Sequence, residues 1–157
     1  MNEKPCCKPC CPPSCQSDQL AHALFFQTGL LANNAPFDGI TLSETAAETF
    51  GDFFSDGSTF QILKPGVYLV TYIVNIPAAA TLNTTFALQV NRQDVASTVR
   101  VIAKTSTDTP HTVTAQAIIE ASAPIALRLS SSSQLTITGA ATETMASLSI
   151  VQLVKCH

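Results

Sequence analysis

The amino-acid sequence predicts an all-β protein, a sandwich or a barrel, from about Ala23 onward. Short segments rich in Val, Ile, Leu, Thr and Phe alternate there with clusters of Ser, Asn, Asp, Gly and Pro, a rhythm typical of these folds. Several segments alternate apolar and polar residues with a period of two, as half-buried strands do. No stretch has a convincing helical period, and 43–50 could form a single turn or a loop.

The chain divides into two parts that differ in composition. Residues 1–22 form a Cys/Pro-rich arm, and residues 23–157 form the predicted head. Five of the six cysteines and four prolines fall within the first fifteen residues, and the sixth cysteine is Cys156. The total of 157 residues suits one domain and is enough to bury a core without internal staples.

Three segments of the head show one-sided alternation, so each predicts a strand with one face directed into a core. The residues predicted to point inward are Phe86, Leu88 and Val90, then Val113, Ala115, Ala117 and Ile119, and finally Ile125, Leu127 and Leu129. The four serines at 130–133 predict a loop after the last of these strands.

Two other segments are apolar on both faces. In 66–76, one face carries Val67, Leu69 and Ile73, and the other carries Tyr68, Val70, Tyr72, Val74 and Ile76. The segment 146–154 is similar, with Val151 and Leu153 opposite the side of Leu148 and Ile150. A strand of this kind needs cover on both faces. The simplest cover for the second face is another subunit.

Composition excludes several classes of function. A net charge of −3 and only 12% charged residues leave no basic patch for nucleic acid. No apolar run is long enough for a membrane-spanning helix, and the N-terminus lacks the apolar region of a signal peptide. A mean hydropathy of +0.25 indicates apolar surface buried between subunits, or an assembly that is insoluble by design.

The sequence contains no motif of a known catalytic site, so we expect a non-enzyme without a cofactor. Asp38, Asp52 and Asp56 could bind Ca²⁺, but their spacing is not that of an EF-hand, so we favour a solvated acidic loop. We therefore predict no metal site in the head.

The cysteines of the arm are placed for partners outside their own segment. Adjacent Cα atoms lie about 3.8 Å apart, less than a relaxed disulfide needs, so Cys6–Cys7 and Cys10–Cys11 should not form bonds. The prolines favour a stiff, extended arm. We predict intermolecular disulfides, with these participants: Cys6, Cys7, Cys10, Cys11, Cys15 and Cys156. The alternatives are a zinc site that uses the Cys7-x-x-Cys10 spacing and an arm with reduced thiols.

The stretch "FQILKPGVYLVTYIVNI" resembles the signature of C1q/TNF-like domains. "FALQVNRQDV", with a turn at Asn91-Arg92, resembles that family's next hairpin, while "HALFFQTGLL" and "MASLSIVQLV" resemble its first and last strands. The resemblance implies a ten-stranded jelly-roll sandwich that forms a homotrimer, with both chain ends at one end of the head. The trimer-interface residues we predict are Tyr68, Tyr72, Val74, Val151 and Leu153. For the two tyrosines, core packing is the alternative.

Among bacterial proteins, the head resembles the C-terminal domain of the collagen-like exosporium protein BclA, although no Gly-X-Y repeat precedes it. The cysteine-rich arm resembles the connectors of endospore appendage (Ena) fibre subunits. The resemblance implies a spore-surface building block that self-assembles into a fibre or layer and is made without a signal peptide in the mother-cell cytoplasm. Its partners would be copies of itself and other spore-surface proteins. The alternatives are a receptor- or glycan-binding head anchored by the arm, and a metal-handling protein.

Overall fold

The protein is a two-layer β-sandwich in a computed structural model that describes residues 19–122 and 124–155. The described residues contain thirteen strands and one 3₁₀ turn, η1 (Ala96–Thr98). The strands are β1 (His22–Thr28), β2 (Leu30–Ala32), β3 (Glu44–Thr45), β4 (Phe53–Ser55), β5 (Phe60–Ile62), β6 (Gly66–Ile76), β7 (Leu82–Val90), β8 (Gln93–Asp94), β9 (Arg100–Lys104), β10 (His111–Ala121), β11 (Ile125–Ser131), β12 (Thr136–Thr138) and β13 (Thr144–Lys155).

The first layer is a five-stranded antiparallel sheet with the order β10-β6-β13-β1-β3. The three longest strands lie side by side in it, since β6 pairs with β10 along its whole length and with β13 on its other edge. A bulge between Gln152 and Val154 inserts one extra residue, Leu153, near the end of β13. This sheet contains both two-sided apolar segments predicted from the sequence.

The second layer is a six-stranded sheet with the order β4-β5-β11-β7-β8, in which β9 also pairs with β7. A short ladder of β2 and β12 stands beside the two layers. The turn at Asn91-Arg92 joins β7 to β8, as the sequence predicts, and both residues have positive φ. Such a pair is typical of the two-residue turns whose twist matches that of a hairpin.

The core lies between the two sheets. Of the residues predicted to point inward, Phe86, Leu88, Leu127 and Leu129 are at most 1% exposed, and the inward face of β10 is buried along its length. The one-sided alternation is therefore confirmed. The predicted serine loop is wrong at its start, because Ser130 and Ser131 continue β11 and are buried. Their hydroxyls are satisfied there: Ser131 Oγ lies 2.7 Å from Thr84 Oγ1.

Both ends of the described chain lie at the same end of the five-stranded sheet. β1 runs antiparallel to β13, with His22 paired to Val151. Gln152 fixes this end, since its backbone N–H donates to the Ala21 carbonyl at 2.7 Å and its Oε1 accepts from the Ala21 N–H at 3.2 Å. Nowhere in residues 19–122 and 124–155 is there a helix long and apolar enough to cross a membrane.

Candidate subunit interface

The outward face of the five-stranded sheet carries apolar side chains that the described residues leave exposed. Strand register aligns Ile118 of β10, Leu69 of β6 and Val151 of β13 in one row across the sheet. Ile118 is 66% exposed and Val151 is 37% exposed. We call this surface the outer apolar face; its members are Leu24, Leu69, Ile73, Ile118, Val151 and Val154.

The rows beside the apolar row carry small polar groups. Gln116, Thr71 and Ser149 occupy the next row, where Leu24 of β1 faces Ser149. On the other side, Val154 and Val67 form a shorter apolar row with Glu120 at its edge. The centre of the face therefore contains no charge, and its hydroxyl and amide groups can form hydrogen bonds with a second surface. This composition is typical of the core of a protein–protein interface.

Two of the five predicted interface residues lie on the exposed side of this sheet. Val151 belongs to the central row, and Leu153, at 41% exposure, projects from the bulge at the end of β13. Both side chains are exposed enough to contact another subunit, and their role in an interface remains a prediction.

The other three predicted interface residues lie inside their own subunit. Tyr68, Tyr72 and Val74 are at most 1% exposed and belong to the core between the sheets. The sequence shows two apolar faces on β6 but not which one points inward. The tyrosines point inward because their hydroxyls find carbonyl acceptors there: Tyr68 donates to Lys64 O at 2.9 Å, and Tyr72 donates to Thr98 O at 2.6 Å. Core packing, the alternative for the tyrosines, is the arrangement observed.

Burial changes the acidity of one of these groups. The pKa of Tyr72 is raised to about 12, chiefly because burial disfavours the phenolate, while the charge of Arg100 acts in the opposite direction. Tyr72 is therefore a neutral hydrogen-bond donor that joins β6 to the 3₁₀ turn at neutral pH.

The three aspartates considered for Ca²⁺ have separate surroundings. Asp52 forms an ion pair with Lys64, with 2.6 Å between Oδ2 and Nζ. Asp56 accepts hydrogen bonds from the backbone N–H groups of Ser58 and Thr59, and these bonds lower its pKa. Across the described part of the chain, no three His, Cys, Asp or Glu side chains are grouped as metal ligands would be. The predicted disulfide residues Cys6, Cys7, Cys10, Cys11, Cys15 and Cys156 lie outside the described residues.

Comparison with solved structures identifies the architecture. The chain superposes on Eiger TNF of S. frugiperda with a TM-score of 0.62 and 17% sequence identity over 88% of this chain and 95% of that one. Murine APRIL gives a TM-score of 0.59 at 9% identity over 86% and 100% of the two chains. The globular domain of a zebrafish complement 1qA protein gives 0.57 at 10% identity over 88% and 100%.

The fold is a C1q/TNF-like jelly roll. The predicted all-β jelly-roll sandwich is thereby confirmed, while the homotrimer stays a prediction. The described residues form thirteen strands and not ten, because several short strands of two or three residues flank the longer ones. No sequence family and no curated protein matches the chain. At these identities the likeness establishes the fold alone, so the role of the outer apolar face has to be argued from its own residues.

Proposed function

We propose that this protein is a non-enzymatic structural subunit whose jelly-roll heads associate as homotrimers through the outer apolar face. The observation that carries the proposal is the row formed by Ile118, Leu69 and Val151, which crosses three adjacent strands without a charge. Fully burying one such side chain contributes about 1.5–3 kcal/mol. Several together offset a substantial part of the cost of association.

The occupant of this face is a second and third copy of the chain. The face alternates apolar rows with rows of hydroxyl and amide groups. A second copy of the face can therefore cover the apolar rows and form hydrogen bonds with the polar ones. The resemblance to C1q/TNF-like domains, which form tight trimers, agrees with a self-complementary surface. Solved structures of this fold cover nearly all of the head.

The cysteine-bearing segments would then couple one trimer to the next. Both described ends leave the same end of the five-stranded sheet, so the two cysteine-bearing segments would start from one region of the head. Intermolecular disulfides among Cys6, Cys7, Cys10, Cys11, Cys15 and Cys156 would produce a fibre or layer. The resemblance to endospore appendage and exosporium proteins suggests the spore surface as its location and other spore-surface proteins as further partners.

The mass of the full chain in solution tests the trimer. With reductant present, light scattering should give three times the 16.6 kDa mass of one chain. Val151→Asp would bury three carboxylates in the interface and should reduce the mass to that of one chain. Val101→Asp is the matched control, because Val101 is 74% exposed on the other sheet; its mass should stay threefold. A reduced native chain that is monomeric would contradict the trimer.

A non-reducing denaturing gel tests the coupling independently. Purified assemblies should stay at the top of the gel without reductant and migrate as single chains with it. Single-chain bands without reductant would contradict disulfide coupling while leaving the trimer intact.

A further inference from the structure

A cavity of about 330 Å³ opens on the outward side of the six-stranded sheet, away from the outer apolar face. Its volume lies at the lower end of the range of small-molecule sites. The residues that line it are Pro36, Phe37, Asp38, Gln89, Arg92 and Arg128. Two arginines, an aspartate, a glutamine and a phenylalanine therefore border one open depression.

Three separate segments bring these residues together. Arg128 of β11 and Gln89 of β7 are direct cross-strand partners, so their side chains start from adjacent positions on the same face. The turn at Arg92 is fastened to β11, because the N–H of Asn91 donates to Ala126 O at 2.8 Å and the N–H of Ala126 donates to Asn91 Oδ1 at 3.0 Å. The third segment is the turn that contains Phe37.

The turn that presents Phe37 runs from Ala35 to Asp38. The N–H of Asp38 donates to Ala35 O at 3.1 Å, and the N–H of Phe37 donates to Ser131 O at 2.7 Å, which holds the turn against β11. Pro36 occupies the first central position and Phe37, with a φ of 66°, the second. A turn with proline first and positive φ second ordinarily takes glycine at the second position. Here a phenyl ring that is 62% exposed stands at that position.

Arg92 is likewise a large residue at a position in the hairpin turn where glycine is favoured. Its φ is 69°, and a two-residue turn of this type favours Asn followed by Gly, whereas this chain has Asn followed by Arg. Elsewhere in the described residues, three left-handed positions are glycines, Gly29, Gly51 and Gly57. A non-glycine residue in this conformation costs about 1–2 kcal/mol. Both large side chains held at this cost line the same cavity.

The guanidinium groups have unused donors. Arg128 donates Nε–H to Thr59 Oγ1 at 2.9 Å, and its remaining donors, like all those of Arg92, form no hydrogen bond within the described residues. The ion pair found among those residues joins Lys64 to Asp52 and involves neither arginine.

The acidic groups nearby differ in how far they are already engaged. Asp94 accepts from Gln89 Nε2 at 2.9 Å, and Asp56 accepts from the backbone of its own turn. Asp38 lines the cavity, and its carboxylate has no hydrogen-bond or ion-pair partner among the described residues.

We propose that this cavity binds a carboxylate-bearing sugar, such as a hexuronate residue of an acidic glycan. Arg92 and Arg128 would hold the carboxylate with charge-assisted hydrogen bonds. The carboxylate of Asp38 and the side-chain carbonyl of Gln89 would accept hydrogen bonds from ring hydroxyls. The ring of Phe37 would cover the apolar C–H face of the sugar. This site does not depend on the trimer, because all six residues belong to one subunit.

Titration of the full chain, kept reduced, with D-glucuronate tests the proposal by calorimetry or by chemical-shift changes at the cavity. Glucuronate should bind at least about tenfold more tightly than D-glucose, which lacks the carboxylate, and than acetate, which lacks the ring. Arg92→Gly should weaken glucuronate binding at least about tenfold. The same variant should keep or raise the melting temperature, since glycine accepts the left-handed φ without strain.

Lys64→Gln is the matched control, because it removes an exposed positive charge outside the cavity and should leave glucuronate binding unchanged. Glucuronate binding that survives Arg92→Gly would overturn the proposal, as would equal affinity for acetate or an absence of glucuronate binding. If Arg92→Gly loses binding and also melts at a lower temperature, the loss could reflect a less stable fold. Arg92→Lys separates the two causes, because it keeps a cation at the same strained φ. Arg92→Lys should retain part of the affinity, and complete loss in a folded Arg92→Lys protein would also count against the site.

Discussion

The outward faces of the two sheets differ in what they leave unsatisfied. The five-stranded sheet exposes a row of apolar side chains without charge, whereas the six-stranded sheet exposes a cavity lined by arginines, an aspartate and a phenyl ring. The first face leaves apolar side chains exposed and is the surface through which we propose that heads associate. The second is complete as a fold but keeps unpaired polar donors. One domain therefore separates a surface suited to association from a surface suited to a small polar ligand.

The largest effect of a single substitution on subunit stability should come from Lys104 at the end of β9, which joins the β6–β7 connection to the segment after β9. Its ammonium group is buried and donates to Ala78 O at 2.8 Å, to Ala80 O at 2.6 Å and to Ser106 O. Lys104→Met would leave three carbonyls without this donor. We expect a loss of about 3 kcal/mol in the free energy of unfolding, measured by urea denaturation.

The comparison becomes sharper if this loss is measured in two backgrounds. It should be the same in the native chain and in Val151→Asp, because the contacts of Lys104 lie within one subunit. Lys64→Met is the control; its exposed ion pair should contribute at most about 1 kcal/mol. A loss that appears only in the associated protein would mean that the contacts of Lys104 also depend on a partner subunit.

A smaller effect is expected in the interior that both sheets share. Tyr72→Phe removes the hydrogen bond from the Tyr72 hydroxyl to Thr98 O and should cost about 1 kcal/mol near pH 7. The raised pKa of Tyr72 makes this contribution pH-dependent, because the folded state disfavours the phenolate. The contribution is fully present below pH 10, the ordinary pKa, and is lost as the pH rises through about 12.

Unfolding free energies of the native chain and of Tyr72→Phe, compared at pH 7, 10 and 11.5, measure this dependence. The difference between them should shrink or reverse above pH 10. A difference that stays constant over the series would show that Tyr72 titrates normally in the folded protein.

The smallest effect should come from Asp56, which lies in the turn between β4 and β5. Backbone N–H groups of Ser58 and Thr59 lower its pKa below the ordinary 3.8. A lowered pKa gives a contribution that is present above that value and lost as the pH falls below it. Asp56→Asn should therefore slightly reduce stability at neutral pH, and the deficit should become smaller in acid, as thermal melts at pH 7 and pH 2.5 would show. An equal deficit at both values would exclude the charge as its cause.

Alternation was sufficient to predict an all-β sandwich or barrel, because period two is a direct consequence of strand geometry; the jelly-roll architecture came from the resemblance to C1q/TNF-like domains. The inward residues of β10 and β11 follow from period two alone, and the two-sided pattern of β6 indicates that a second apolar face needs cover. Which face of β6 points inward depends on acceptors supplied by distant residues, such as Thr98 for Tyr72. Sequence reasoning could not locate those acceptors, so it placed the tyrosines on the wrong face.

The cavity was missed for a related reason. Its lining comes from 36–38, from 89–92 and from Arg128, and only the pairing of β7 with β11 makes these neighbours. A weak signal was present in the hairpin itself, since an Asn-Arg pair stands where Asn-Gly is favoured. The serines at 130–133 gave a misleading signal, because buried Ser131 shares a hydroxyl contact with Thr84 that no local pattern reveals.

The pairing of His22 with Val151 places the start of the first strand beside the end of the last strand, with a gap between the two chain ends. A short linker across that gap would join the two strands, and new ends could then be opened in the exposed segment 105–110 between β9 and β10. Such a circular permutant would keep every strand pairing while moving the cysteine-bearing arm to a different site on the head. Under the proposed disulfide coupling, the position from which one head reaches the next could then be changed without changing the fold.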